Sequence, residues 1–174
     1  FKNKLLSFNK KYEKDKIQIK KRFKNNSKAY RISKKNNILI IHENNIKTST
    51  ILKLLINLET KQKFNISYKF RPNEPINEKL RNFLETKNIK IYKNENVYKL
   101  FKTNEISFLI GFNSTLLLEA SYFNIFPIQI LEKQKYFKDY IKDKVVFYSK
   151  LNTIHNNILK FKKKEKKLMN IKKK

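Results

Sequence analysis

The stretch ISFLIGFNSTLLLEASYFNIFPIQIL, residues 106–131, holds the only glycine of the chain, Gly111. It sits between an apolar run and an Asn-Ser-Thr triplet. ISFLIGF reads as a strand buried on both faces, STLLLEASYF as a helix, and FPIQIL as a second strand entered through Pro127. Glycine at that junction permits a turn or a close approach of another group to the backbone. From Thr103 to Glu132 there is no basic residue, although Lys and Arg make up 42 of 174 positions. A gap of that kind marks a buried segment.

Working outward, the same alternation repeats. ILIIHE, from residue 38, is a β-branched run. TSTILKLLINLETKQ places Ile51, Leu55 and Leu58 at helical spacing, with Thr48 or Ser49 as N-cap. FNISYKF reads as a strand stopped by RPNEP, whose prolines cannot continue a central ladder. NEKLRNFLETK, IKIY and NVYKLFKTN follow as helix, strand and short helix. Strands alternating with helices imply right-handed βαβ units, hence an α/β, Rossmann-like, doubly wound parallel sheet. The expected organisation is a linker or remnant of a preceding segment over residues 1–37, the α/β domain over 38–150, and a basic C-terminal helix or tail over 151–174. VVFYS supplies a last strand, and Ile154, Ile158, Phe161 and Leu168 line one face of the tail helix.

At 174 residues the chain suits one domain with a real core. Cysteine is absent, which fits a reducing compartment, and no disulfide or thiol metal site is available. No signal peptide is visible at the start, no uncharged run is long enough for a bilayer, and the chain begins at Phe1, as a fragment would. The expected location is cytoplasmic, with the basic tail either packed on its own domain or resting on an anionic membrane.

The formal net charge is +28. It suggests a nucleic-acid partner, but 38 Lys, 23 Asn and 22 Ile against 4 Arg are the signature of A/T-rich codons, while nucleic-acid readers favour Arg. A non-specific nucleic-acid-binding module is therefore the disfavoured alternative.

In open parallel sheets, ligands bind outside the carboxyl ends of the strands. There Gly111, Asn113, Ser114 and Thr115 would present unpaired N–H groups and hydroxyls at a helix start, an anion site suited to phosphate. Glu119, otherwise alone in an apolar helix, either accepts hydrogen bonds from a ligand's sugar hydroxyls, or marks an edge position on a half-exposed helix, or pairs with a nearby lysine. Arg71 and Pro72, after an earlier strand, face the same edge. Arg71 is either a phosphate partner and leaving-group stabiliser or a surface residue beside a turn. No metal is expected, because His42 and His155 lack ligand spacing.

Lys69, Arg71 and Pro72, followed some forty residues later by Gly111, Asn113, Ser114, Thr115, Glu119, Ala120 and Pro127, resemble the C-terminal, donor-binding half of GT-B glycosyltransferases. The likeness spans roughly residues 36–150 and is nearest to bacterial sialyltransferases and polysialyltransferases, which bind CMP-sialic acid through short His-Pro and Ser-Ser or Ser-Thr motifs. It implies a nucleotide-sugar donor, a glycan acceptor and a role in polysaccharide biosynthesis. Arg71 stands where that family has His, and it cannot deliver a proton near neutral pH. The family's acidic motif has no counterpart in residues 1–37, and Glu43 is the one acid placed by sequence near the site. A nucleotide-sugar epimerase shares the two-domain plan, but its several acids and bases find no place here.

Overall fold

The computed structural model describes residues 36–60, 64–103, 105–120, 123, 125–130 and 146–171. Six strands form one sheet: β1 (Asn37–Ile41), β2 (Asn65–Lys69), β3 (Lys90–Tyr92), β4 (Phe108–Gly111), β5 (Phe126–Ile130) and β6 (Phe147–Ser149). Every neighbouring pair is parallel, in the order β3-β2-β1-β4-β5-β6. This is the doubly wound, Rossmann-like arrangement expected from the alternation. Ile38, Leu39 and Ile40 of β1 and Phe108, Leu109 and Ile110 of β4 are fully buried. Central strands covered on both faces need such continuous apolar runs. The lysine-free segment is accordingly the centre of the sheet.

The helices are α1 (Thr48–Glu59), α2 (Glu78–Thr86), α3 (Val97–Lys102), α4 (Leu116–Ala120) and α5 (Ile154–Ile171). α1 packs against α2 and α5. Right-handed crossovers from β1 to β2 to β3 put α1 and α2 on one face and send α3 and α4 to the other. Burying Ile51, Leu54, Leu55 and Leu58 on the inner side of α1 is worth about 1.5–3 kcal/mol for each side chain. The helix starts are unequal. Asn77 accepts from the Leu80 N–H and Asn96 from the Tyr98 N–H, as good N-caps do. α1 departs from expectation, because Thr48 and Ser49 lie inside the helix and Lys47 takes the cap position without a side-chain bond.

Pro127 stands in β5, which is not an edge strand. The Phe126 N–H donates to Ser107 O on the β4 side. Alternation along a strand turns position 127 to the other side, where pairing with β6 begins only opposite Ile128. The missing proline N–H therefore has no ladder bond to lose.

Phe161 of α5 lies over Phe126 and Phe147, themselves stacked with centroids 4.1 Å apart. Ile154 and Ile158 are fully buried. The apolar stripe of the tail is thus seated on its own domain as far as Phe161, while the Leu168 side chain lies outside the described set. So does the linker expected over 1–37, except Asn36 and Asn37, the second of which opens β1. Among the described residues no helix is long and apolar enough to cross a membrane.

Candidate functional site

The order 3-2-1-4-5-6 reverses direction between β1 and β4, and ligands of such sheets settle in the crevice beyond that point. β1 runs out there into His42 and Glu43, and β4 into Gly111 to Thr115. The two ends are joined by one carboxylate. Glu43 Oε1 accepts the N–H groups of Phe112 (2.7 Å), Asn113 (2.9 Å) and Ser114 (3.2 Å), and Oε2 accepts Asn113 N–H at 2.7 Å. Glu43 is only 3 % exposed. A buried carboxylate is costly unless it is paired, and here successive peptide N–H groups complete it.

This corrects the expectation of unpaired amides at the Asn-Ser-Thr turn. The nest of N–H groups exists, and a side chain of the same chain fills it. The glycine is also explained. Gly111 has no left-handed backbone angle. A Cβ built on it would lie 3.1 Å from Glu43 Oε1, with Leu117 3.6 Å away. Of the two uses open to the glycine, close approach is the one realised, and the approaching group is a carboxylate.

The loop is held from its other side as well. Gln129 of β5, fully buried, donates its side-chain N–H to Phe112 O at 2.8 Å. Both polar atoms of residue 112 are therefore fixed by side chains from neighbouring strands. Beyond this clamp Ser114 Oγ accepts the Leu116 N–H at 3.3 Å, Thr115 is exposed, and Asn113 is half-buried. α4 covers only Leu116–Ala120, so these three polar side chains stand on the loop rather than in the helix.

Two strands away, roughly 10 Å across the sheet, β2 leads into Arg71 and Pro72. Both are exposed. Arg71 lies 3.9 Å from Glu74 Oε1, a long contact. Polar contacts continue inward from there. Asn44 donates to Glu74 Oε1 at 2.6 Å, while His42 Nδ1 meets the Tyr68 hydroxyl at 2.9 Å. Burial pushes the His42 imidazole below its ordinary range, with Glu74 pulling the other way. Burial, helped by the Glu43 charge, pushes the Tyr68 hydroxyl up. Which of the two groups donates follows from the tautomer of the imidazole. Lys69, buried, donates to Phe70 O (2.6 Å) and Lys93 O (3.0 Å), tying the ends of β2 and β3 together. Its desolvation lowers the ammonium from the usual lysine range, and the Glu95 charge opposes that.

Glu119 is paired. The Tyr98 hydroxyl of α3 donates to its Oε2 at 2.6 Å, and this bond is the first reason that the hydroxyl is pushed above its usual range. The partner is therefore a tyrosine and not a lysine. Sequence reasoning gathered Gly111, Asn113, Ser114 and Thr115 correctly onto one loop, and Arg71 with Pro72 onto the same sheet edge. It missed Glu43 as the group that fills the nest, together with Gln129, His42, Asn44 and Glu74. The signal for Glu43 was available: it is the first acid beyond β1, at the strand whose neighbour carries the lone glycine.

Fold and edge together define a Rossmann-like, doubly wound α/β domain with polar side chains gathered at its switch point. No protein-family model matches the chain, and no curated protein matches it. Among the described residues no group of three His, Asp or Glu side chains is arranged to hold a metal ion.

Proposed function

We propose that this domain is the donor-binding half of a GT-B-type glycosyltransferase, binding a nucleotide sugar, with CMP-sialic acid the leading candidate, for transfer to a cell-surface glycan. The observation that carries the reading is the clamped loop at the β1/β4 switch point. Glu43 and Gln129 fix its backbone, so the side chains of Asn113, Ser114 and Thr115 stand preorganised where a parallel sheet receives its ligand. Ser114 uses its oxygen on the Leu116 N–H and keeps its own O–H to donate.

Because the amides are committed to Glu43, the donor phosphate takes its bonds from these side chains and its compensating charge from Arg71. The Arg71 guanidinium is 57 % exposed and among the described residues its one ion-pair contact is the long one to Glu74, so it can fold over the ligand. In transfer, the bond from the anomeric carbon to the phosphate oxygen breaks and the electron pair stays on the nucleotide. Arg71 stabilises that developing charge. The acceptor hydroxyl and the base that deprotonates it come from across the cleft, outside the described residues. The same reading places the reaction on the cytoplasmic side, with the basic C-terminal end of the sequence as its contact with an anionic membrane surface.

Calorimetric titration with CMP, CDP and UDP tests the proposal. At least one nucleotide binds the wild type, and Arg71→Ala and Ser114→Ala each weaken it by about tenfold, the worth of one charge-assisted hydrogen bond. Negligible heats for all three nucleotides on all three proteins would end it.

A further inference from the structure

Two polar pairs, Tyr68 with His42 and Asn44 with Glu74, lie at the carboxyl ends of β1 and β2. Glu74 Oε2 is buried and has no hydrogen-bond partner among the described residues. An acceptor on a carboxylate left unpaired is costly, and a buried one calls for a donor. The Glu74 loop is held stiffly between Pro72 and Pro75, with Asn73 in the left-handed region at φ 63°. Asn44 and Arg71, which contact the other carboxylate oxygen of Glu74, are both exposed.

What fits there follows from charge. An unfilled carboxylate oxygen lies beside a guanidinium whose one ion-pair contact within the loop is 3.9 Å long. A cation would satisfy Glu74 but would meet Arg71 and the general positive excess of the chain. An anion on the Glu74 side of Arg71 would meet the carboxylate, so the donor phosphate takes the guanidinium's other N–H groups. A neutral group with an O–H donor and an oxygen acceptor on adjacent atoms satisfies both.

We propose that Glu74 and Arg71, with Asn44 between the two loops, receive a vicinal diol of the ligand at the carboxyl ends of β1 and β2. This rests on the nucleotide-sugar reading above and assigns the part of the ligand that meets this half of the crevice. One hydroxyl donates to Glu74 Oε2, and its neighbour accepts from the Arg71 guanidinium. The role expected of Glu119 thereby passes to Glu74, since the Oε2 of Glu119 is already taken by Tyr98. A diol can belong to the ribose or to the transferred sugar.

The test is a set of titrations on the intact chain with CMP, 2′-deoxy-CMP and CMP-sialic acid, for the wild type and for Glu74→Gln. If the ribose fills the site, the wild type prefers CMP over the deoxy form by about tenfold or more. If the transferred sugar fills it, CMP-sialic acid is preferred over CMP by a similar factor. In either case Glu74→Gln shrinks that preference to less than about twofold while the poorer ligand binds as before. Should Glu74→Gln fail to fold, Arg71→Lys, which keeps the charge without the planar fork, shrinks the same ratio. Equal affinities for all three ligands in the wild type, or an undiminished preference in the variant, would overturn the assignment and leave the nucleotide site standing. Absence of any binding would remove the parent reading and this one with it.

Discussion

Glu43→Gln is the substitution that most directly probes the clamp. It keeps the shape of the side chain and removes its charge. In the native loop Oε1 takes three N–H groups and Oε2 takes Asn113 N–H at 2.7 Å. The amide oxygen of glutamine fits best at the Oε1 position, which leaves its NH2 facing the Asn113 N–H, donor against donor. One charge-assisted bond is lost, about 1.5–3 kcal/mol, and the remaining bonds drop to roughly half their strength as neutral ones. With Glu43 almost wholly out of water, solvent offers little compensation. The sum is about 3 kcal/mol. In urea denaturation this is a lower midpoint at unchanged m value, and in thermal melting a fall of about 10 °C. A loss below about 0.5 kcal/mol, or a gain, would show that the amide nest does not depend on the carboxylate.

Three further outcomes are expected. Gly111→Ala pushes the Glu43 carboxylate back by a few tenths of an ångström and costs about 1–2 kcal/mol in the same urea assay. In the Glu43→Gln background the cost changes, because the two residues share one contact, whereas strict additivity would refute the close-approach reading. His42 has a folded-state pKa below its unfolded value, so the unfolded chain binds the extra proton. Stability is then intact above about pH 6.5 and declines as pH falls through the window just beneath it; His42→Gln removes that part of the slope, and an identical pH profile would refute it. Lys69→Met leaves Phe70 O and Lys93 O without their donor and costs about 1–3 kcal/mol, measured by chemical denaturation, with a neutral result showing that the ends of β2 and β3 do not need the ammonium.

The layered architecture was legible because its causes are local. Apolar β-branched runs alternate with 3.6-residue periodicity, and that alternation implies parallel βαβ units of the kind that build a doubly wound sheet. Leu80 and Leu84, four apart in the sequence, are both buried in α2 as their spacing requires. The thirty positions without a lysine mark the central strands because a charged amine has no place between two helical layers. Gly111 was legible as a special position but its reason was not. The choice between a turn and a close approach depends on what lies opposite, and Glu43 is 68 residues earlier in the chain. Local hydrogen-bonding habit misplaced the start of α1, where Thr48 and Ser49 are good caps in isolation yet Lys47 precedes the helix. The pairs of His42 with Tyr68 and Asn44 with Glu74 could not be read at all, because their members meet only once β1 and β2 are paired.

The most direct test of the central claim, a ligand seated at the β1/β4 switch point, is amide NMR of the isotopically labelled chain during titration with CMP. The account predicts concentration-dependent shifts that concentrate at Gly111 to Thr115 and at Arg71 to Glu74, with α2 and α5 nearly silent. Shifts absent from both loops, or spread over the lysine-rich helices and abolished by modest salt, would contradict it.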